Sequence, residues 1–198
     1  MYKLFFPVLL VIGIVACSSK PEVKTIDRLK LKATAAKNYC VQKGLNTDMC
    51  VLVDMQIHSG KKRLFLWSFK GDSIITSAVC SHGTCDNLTT YDAAKTPQFS
   101  NTPETHCSSL GKYKLGKRGW SSFGVNFNYK LHGLEKTNNN AYKRYIVFHS
   151  WGVIEDEETY PMEIVESWGC PAVSNNFMNE IDLVLKKQTK SLLFWIYK

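Results

Sequence analysis

The first pattern along the chain is a helical spacing of apolar residues between positions 26 and 43. The apolar positions are Leu29, Ala33, Ala36 and Cys40, three or four residues apart, which puts them on one face of a helix. Gly44 follows, and glycine readily adopts the left-handed conformation in which many helices end. The pattern therefore predicts a helix over residues 26–43.

Beyond this helix the pattern changes to short runs rich in β-branched and aromatic residues. The first three runs are 50–57, 63–69 and 73–80, separated by turns at 58–62 and 70–72. Because short turns join neighbouring antiparallel strands, these runs predict an antiparallel meander. Further strands are predicted at 112–117, 125–134, 142–149 and 191–197.

A second helix is predicted from about residue 175 to residue 187, with Ser174 or Asn175 as its N-cap. Its buried stripe consists of Phe177, Ile181 and Val184. The segment 150–166 carries an acidic run at 155–158 and is expected to be a loop, either solvated or acting as a lid. The fold class expected is mostly β (α+β), one domain with a helix at either side.

Composition sets the size of the domain and the charge of its partners. The chain has 198 residues, of which 44% are apolar and 21% charged, so it can form one ordinary globular core plus a targeting segment. Its formal net charge is +8 and its pI about 9.1. A basic surface favours anionic partners, such as nucleic acid, anionic lipid or a carboxylate-rich polymer.

The N-terminus narrows the choice among these classes of partner. Lys3 precedes an apolar run from Leu4 to Val15, which is too short to cross a bilayer and fits a secretory signal. The run ends in Ile14-Val15-Ala16-Cys17-Ser18-Ser19, which resembles a bacterial lipobox; the alternative is an ordinary signal peptide with an incidental cysteine. We therefore predict a signal peptide at 1–16, a tether at 17–25 lipidated on Cys17, and a domain at 26–198.

This N-terminal signal implies that the protein lies in the cell envelope, on the periplasmic side of a lipid bilayer. By resemblance to bacterial sorting patterns, we expect that bilayer to be the outer membrane. A secreted location argues against nucleic acid and favours envelope polymers. We expect a monomer.

Seven cysteines are present, and an oxidising envelope permits disulfides among them. With Cys17 assigned to lipid, the pairing stays open. Reasonable pairs are Cys40 with Cys50, and one pair among Cys80, Cys85 and Cys107. No metal is expected, because the spacing from Cys80 to Cys85 is not that of a zinc knuckle and the sequence offers no second pair of ligands.

The candidate chemistry lies in a late cysteine and an upstream histidine. Cys170 follows Gly169 shortly before the predicted helix, and His149 ends a predicted strand. A cysteine acyl-transfer enzyme needs a thiolate nucleophile and a neighbouring imidazole that takes and returns a proton. The helix N-terminus and a protonated His149 would lower the pKa of the thiol. Backbone N–H groups of Gly169 and Cys170 would form an oxyanion hole. The alternative is a structural thiol or half of a disulfide.

The order of these residues, with the histidine before Ser167-Trp168-Gly169-Cys170, resembles the L,D-transpeptidase (YkuD-like) family. The resemblance is closer to one branch of that family, the murein L,D-transpeptidase catalytic domain-like proteins. It extends over about residues 49–198 in the blocks 81–83, 99–101, 108–113, 131–135, 139–144, 146–149 and 167–173. Two positions depart from the wider family: Trp168 replaces a histidine, and Ala172 replaces an arginine.

The resemblance implies an L,D-transpeptidase β-sandwich or barrel with flanking helices and no cofactor. It implies that Cys170 attacks a peptidoglycan stem peptide and that His149 is the base. Residues expected near the substrate are His82, Ser108, Arg144, Ser167 and Trp168. Transfer to an amine, carboxypeptidase-type hydrolysis and amidase or endopeptidase cleavage all stay open. The non-enzymatic alternative is a catalytically silent, peptidoglycan-binding envelope lipoprotein.

Overall fold

A computed structural model describes residues 23–86 and 97–198 of the chain. The chain enters through helix α1 (Val23–Lys43), which begins three residues before the predicted start. The second helix, α2 (Asn175–Leu185), is capped by Ser174, whose side chain accepts a hydrogen bond from the Phe177 N–H. The predicted cap is therefore confirmed. The predictions of a signal peptide, of lipidated Cys17 and of most of the tether lie outside the described residues.

Within the described residues eight strands form one sheet, in the order β3-β2-β1-β8-β4-β5-β6-β7. Their bounds are β1 (Met49–Asp54), β2 (Leu64–Ser68), β3 (Ser73–Ala78), β4 (Gly111–Trp120), β5 (Phe127–Gly133), β6 (Val147–Ser150), β7 (Ala172–Val173) and β8 (Leu193–Tyr197). The mostly β fold class and the antiparallel β1–β2–β3 meander are confirmed.

Two pairings are parallel, β1 with β8 and β6 with β7. The two-residue strand β7 was not predicted, because so short a run carries no periodicity. The predicted strand at 142–149 is only half right. Residues 142–145 form turns, and Tyr145 has φ +56°, a left-handed conformation that a β-strand does not accommodate.

The two helices cover different parts of the sheet. The predicted face of α1 (Leu29, Ala33, Ala36 and Cys40) is fully or almost fully buried, and it packs with Cys50, Leu52 and Trp67 of the sheet. The neighbouring β1 residues Val51 and Val53 belong to a second core with Phe177, Met178 and Ile181 of α2. Successive residues of a strand point to opposite faces. Because β1 is buried on both faces, its sequence is a nearly continuous apolar run.

The cysteines divide into one disulfide and four free thiols among the described residues. Cys85 bonds to Cys107, which confirms one of the predicted choices. The predicted Cys40–Cys50 bond is wrong: both are free thiols buried between α1 and β1. Burial raises the pKa of Cys40 to about 11 and that of Cys80 to about 12, so these thiols are inert.

The acidic run is tied to its surroundings. Asp156 accepts hydrogen bonds from Ser174 and from Asn176, the latter at 2.6 Å, and Glu158 accepts one from the Lys62 N–H at 2.8 Å. These contacts hold the loop against α2 and the turn before β2, which favours a fixed loop over a lid.

Two further features of the described residues concern membranes and metals. Neither α1 nor α2 is both long and apolar enough to cross a bilayer. No group of three or more His, Cys, Asp or Glu side chains in residues 23–86 and 97–198 is arranged to hold a metal ion.

Candidate active site

The parallel pair β6–β7 brings the predicted histidine and cysteine together. His149 pairs with Ala172, and the backbone N–H of His149 donates to the carbonyl of Pro171 at 3.4 Å. Cys170 lies directly before Pro171. Both side chains line one cavity of about 620 Å³, whose walls also include Arg144, Ser167 and Trp168. The cavity therefore collects five of the residues expected from sequence.

His149 is buried, and its orientation is fixed by one hydrogen bond. Its Nδ1 lies 2.8 Å from the carbonyl oxygen of Ser150. Because a carbonyl can only accept, Nδ1 carries the proton and Nε2 is the basic nitrogen. Burial lowers the pKa of His149, although the bond to Ser150 opposes this shift. The imidazole is therefore neutral at neutral pH.

Cys170 is held at rest as a neutral thiol. Burial raises its pKa, while the Val147 N–H, which donates to Sγ at 3.4 Å, and the charge of Arg144 act in the opposite direction. The raised pKa runs against the expected resting thiolate. Along the chain, strand β7 and Ser174 separate Cys170 from the start of α2.

The turn before the cysteine is stabilised by Ser167. Its hydroxyl donates to the carbonyl of Cys170 at 2.6 Å and accepts from the Gly169 N–H at 3.2 Å. The Gly169 N–H is therefore engaged within the turn, which argues against its predicted oxyanion role. Gly169 has φ +103°, and a Cβ there would lie 2.6 Å from the carbonyl oxygen of Cys107. Only glycine fits this position without strain.

Ser108 is fully buried and does not line the cavity. Its hydroxyl donates to the carbonyl of Gly169 at 3.1 Å and accepts from the Gly83 N–H at 3.0 Å. The predicted substrate contact at Ser108 is thus replaced by a bridge between two backbone segments. Within the described residues the backbone N–H groups of Trp168 and Cys170 have no acceptor, so the Cys170 N–H is free to act as an oxyanion donor.

Arg144 combines a structural role with a position in the cavity wall. Its Nη1 donates to the Ser100 carbonyl at 3.0 Å and to the Ser109 hydroxyl at 2.7 Å, and Nη2 donates to the Cys107 carbonyl at 2.6 Å. An arginine has five N–H donors. Two therefore remain without an acceptor among the described residues, and no carboxylate in that part of the chain forms a salt bridge with Arg144.

His82 lies behind the cavity and does not line it. It is 2% exposed, and its Nδ1 is 2.9 Å from Nη2 of the fully buried Arg63. Because a guanidinium only donates, Nδ1 accepts and the proton lies on Nε2, which is 3.3 Å from the Glu166 carboxylate. Burial lowers the pKa of His82, so the ring is neutral. The expectation that His82 lines the cleft is not met, but its carbonyl accepts from the Ser167 N–H at 2.7 Å.

Glu166 is the member of this network that reaches the cavity wall. Neither Arg63 nor Glu166 was predicted from sequence. A fully buried arginine has no pattern that separates it from surface cations, and the acidic run at 155–158 made Glu166 look like one more loop residue.

Trp168 and His106 form an exposed aromatic pair at the cavity rim. Trp168 is 74% exposed, and the two ring centroids are 4.8 Å apart. His106 also contacts Asp86. His106 and Phe123 were not expected in the wall, because loops distant in sequence bring them there. Tyr145 and Trp151 also line it, from positions just before and just after β6.

Comparison with known proteins identifies the family. A model of the L,D-transpeptidase catalytic domain matches residues 22–196. The chain belongs to this family. The expected L,D-transpeptidase fold is thereby confirmed.

Several solved structures resemble the chain at low identity. Bd1075 of Bdellovibrio bacteriovorus is 16% identical, with a TM-score of 0.47 over 78% of this chain and 49% of that one. The helical cell shape determining protein Pgp2 of Campylobacter jejuni is 15% identical, with a TM-score of 0.48 over 76% and 47%. An L,D-transpeptidase of Xylanimonas cellulosilytica is 13% identical, with a TM-score of 0.38 over 81% and 68%.

The chain thus spans about half the length of the first two structures. No curated protein matches it.

Proposed function

We propose that this L,D-transpeptidase family member catalyses acyl transfer on peptidoglycan stem peptides, with Cys170 as nucleophile and His149 as general base. One observation carries the proposal: Cys170, two residues before β7, and His149 of the adjacent β6 line the same cavity. The bond from His149 Nδ1 to the Ser150 carbonyl supports it, because it leaves Nε2 as the proton acceptor.

The first half-reaction forms a thioester. The substrate carbonyl belongs to the third stem residue, at its L-centre. As Sγ of Cys170 attacks this carbonyl carbon, the thiol proton passes to Nε2 of His149. The Cys170 N–H donates to the developing oxyanion. The C–N bond to the fourth residue, a D-amino acid, then breaks, and its amine leaves with the proton held by His149.

The second half-reaction resolves the thioester. An amine that attacks its carbonyl gives a crosslink or an exchanged stem, and water gives a tripeptide. His149 takes the proton of the attacking group, and the thiolate of Cys170 leaves and is reprotonated. The two shifted pKa values fit this cycle, because a neutral thiol and a neutral imidazole are the states that a general-base mechanism starts from.

Arg144 is the proposed partner of the donor carboxylate, in place of the family arginine that is Ala172 here. It lies in the cavity wall beside Cys170 and keeps two N–H donors. Arginine binds carboxylates with geometric specificity. Trp168 would pack against the same substrate from the rim.

We also propose that the protein is lipid-anchored in the cell envelope through Cys17. The sequence 14–19 is what supports this anchor. A Cys17→Ala chain expressed in a bacterial host should move from the membrane fraction to the soluble fraction. Retention in the membrane fraction would refute anchoring at this residue.

The activity test uses the chain from Ser18 onward with Cys170→Ala as its matched control. Each is incubated with disaccharide-tetrapeptide, with and without a free D-amino acid, and the products are identified by mass spectrometry. Dimers or exchanged stems that require Cys170 establish transfer, and tripeptide on its own establishes hydrolysis. No product from the folded wild-type chain would refute the proposal and favour a silent wall-binding protein.

A further inference from the structure

Helix α1 holds most of the net positive charge of the chain. Its 21 residues include six cations and one carboxylate, Asp27, so it carries +5 of the formal +8. Lys24, Lys30 and Lys37 are exposed. Of these three, only Lys30 forms a salt bridge within the described residues, a 4.0 Å contact with Asp72. This side of the molecule is therefore suited to an anionic partner.

The exposed face of α1 also presents apolar side chains. Leu31 is 74% exposed and Val41 is 64% exposed. At 3.6 residues per turn, Leu31 lies half a rotation away from Cys40 of the buried face, and Lys24 lies two turns before Leu31 on the same side. Exposed apolar residues among lysines on one helix face are typical of a helix that lies in a lipid interface.

The proposed anchor would bring this face close to a bilayer. Five residues, 18–22, separate Cys17 from Val23, the first residue of α1. An extended chain covers at most 3.3–3.6 Å per residue, so Val23 lies within about 20 Å of a lipid attached to Cys17. Among anionic partners, phospholipid headgroups are therefore the ones that α1 meets first.

We propose that the exposed face of α1 docks on an anionic phospholipid surface. Lys24, Lys30 and Lys37 contact the headgroups, and Leu31 and Val41 enter the boundary between headgroups and acyl chains. In the cell this inference rests on the proposed anchor at residue 17, because a lipid chain together with a basic patch gives firmer membrane attachment than either one alone.

Docking through α1 leaves the Cys170 cavity open. No described residue that lines this cavity belongs to α1. The helix packs on the face of β1 that carries Cys50 and Leu52, whereas Val51 and Val53 belong to the core shared with α2. Bilayer and substrate therefore use different surfaces of the domain.

The test uses the chain from Ser18 onward, which retains both helices and all eight strands and carries no lipid. Its sedimentation is measured with vesicles of phosphatidylcholine alone and with vesicles that also contain phosphatidylglycerol. Both series are run at low and at physiological salt, because screening separates electrostatic from apolar binding.

Two triple variants remove equal charge from different parts of the surface. The α1 variant carries Lys24→Gln, Lys30→Gln and Lys37→Gln; glutamine forms helix about as well as lysine, so the fold is retained. Circular dichroism verifies this. The control variant replaces three exposed lysines of β4 and of the segment between β5 and β6 by glutamine: Lys117, Lys136 and Lys143.

Wild type should bind the vesicles that contain phosphatidylglycerol, should not bind those of phosphatidylcholine alone, and should bind less as salt rises. Each lysine beside an anionic bilayer strengthens binding about fivefold. The α1 variant should therefore bind about a hundredfold more weakly, and the control variant should match wild type. Equal binding of the α1 variant and wild type would overturn the inference. Equal weakening in both triple variants would also overturn it, because binding would then follow net charge.

Leu31 distinguishes a docked helix from a basic surface that is only attracted to lipid. Leu31→Gln keeps every charge and should weaken binding about tenfold at both salt concentrations, because an inserted leucine contributes through apolar burial. Wild-type affinity in this variant would refute docking of this face.

Acetylation by an N-hydroxysuccinimide ester maps the contact without any substitution. Vesicle-bound wild type should be protected at Lys24, Lys30 and Lys37 and should react at the three control lysines as it does in free solution. Unprotected α1 lysines in the bound protein would place the contact elsewhere and overturn the inference.

These measurements distinguish failure of the docking surface from failure of the anchor. If the full chain carries no lipid but the chain from Ser18 binds anionic vesicles through α1, the anchor fails and the surface stands. If the full chain is anchored at Cys17 but the α1 variant binds vesicles like wild type, the surface fails and the anchor stands. Isolated peptidoglycan sacculi provide the competing polymer. Substitutions in α1 that weaken binding to sacculi alone would assign this face to the wall and overturn the inference.

Discussion

The hydroxyl of Ser108 donates a hydrogen bond to the carbonyl oxygen of Gly169 at 3.1 Å, which fixes the peptide plane directly before the nucleophile. In a trans peptide the carbonyl and the following N–H point in opposite directions. Anchoring the Gly169 carbonyl on Ser108 therefore turns the Cys170 N–H away from Ser108. In the proposed mechanism this N–H stabilises the oxyanion, so Ser108 is a positioning residue.

Ser108→Ala should slow acylation while leaving the thiol reactive. Loss of an oxyanion donor costs about 10²–10³ in kcat, and loosening one should cost less, about tenfold. Alkylation by iodoacetamide needs no oxyanion hole and should proceed at the wild-type rate. The two rates are measured on the same preparations, with Ser68→Ala as a control that removes a hydroxyl bonded to the Gly71 N–H.

The variant also leaves the buried Gly83 N–H without its acceptor, which should cost about 1–3 kcal/mol of unfolding free energy. Urea unfolding at the assay temperature shows whether the folded fraction stays constant. Equal slowing of acylation and alkylation would contradict the positioning role.

The rate of Cys170 alkylation should rise with pH through neutrality. Burial raises the pKa of the thiol above its usual value of 9.0, so the thiolate fraction grows as pH increases toward that raised value. The pH profile of acyl transfer should differ, because His149 must be neutral to act as the base. Burial lowers the pKa of His149 below 6.5. Activity should therefore fall only in mildly acidic solution, as the imidazole becomes protonated.

Iodoacetamide labelling and acyl transfer are followed over the same pH series, with labelling assigned to Cys170 by peptide mass spectrometry. A fast, pH-independent labelling rate in mildly acidic solution would indicate a preformed thiolate–imidazolium pair. That result would contradict the neutral resting state described above.

Reduction of the Cys85–Cys107 disulfide should weaken the site. The Cys107 carbonyl accepts a hydrogen bond from Arg144, and Cys107 directly precedes Ser108. The disulfide therefore holds in place the segment that positions Arg144 and Ser108. A disulfide across this sequence separation contributes about 3 kcal/mol to stability. Cys85→Ser should lower the unfolding free energy by about this amount and lower activity more than Cys40→Ser, which changes a free thiol under α1.

Both variants are assayed under oxidising and reducing conditions, together with wild type. Wild type should lose activity on reduction, and Cys85→Ser should not respond. If reduction leaves wild-type activity unchanged, the disulfide does not support the site.

The elements set by local pattern were the ones predicted best. The α1 face and the Ser174 cap depend on neighbours a few residues away, and both are confirmed. Strand β7 and its parallel pairing with β6 depend on contacts across the chain. Sequence therefore indicated His149 and Cys170 as partners through their chemistry and through resemblance, while their juxtaposition follows from a strand that no pattern revealed.

The pKa of Cys170 shows the same division. Its upward shift follows from burial, which arises only when distant segments meet in the folded chain. The Arg63–His82–Glu166 network is the clearest case, because each member belongs to a different segment. Sequence singled out His82 as a residue near the substrate and gave no sign of its contacts with Arg63 and Glu166.

This buried network should stabilise the segment that carries the nucleophile, and His82 tests it. His82→Leu leaves a buried guanidinium N–H and the Glu166 carboxylate without the imidazole, and should cost about 3 kcal/mol of unfolding free energy. His82→Gln should retain most of the stability, since its amide can accept from Arg63 and donate to Glu166. Urea unfolding at neutral pH measures both.

The pH dependence of stability gives an independent check of the same network. Burial lowers the folded-state pKa of His82 below 6.5, so the folded protein binds fewer protons there than the unfolded chain. The contribution of His82 is therefore fully present above pH 6.5 and is lost as pH falls through the folded-state pKa. His82→Gln should remove this part of the acid destabilisation and retain the part that comes from His149. Identical pH profiles of wild type and His82→Gln would mean that His82 does not titrate as a buried neutral ring.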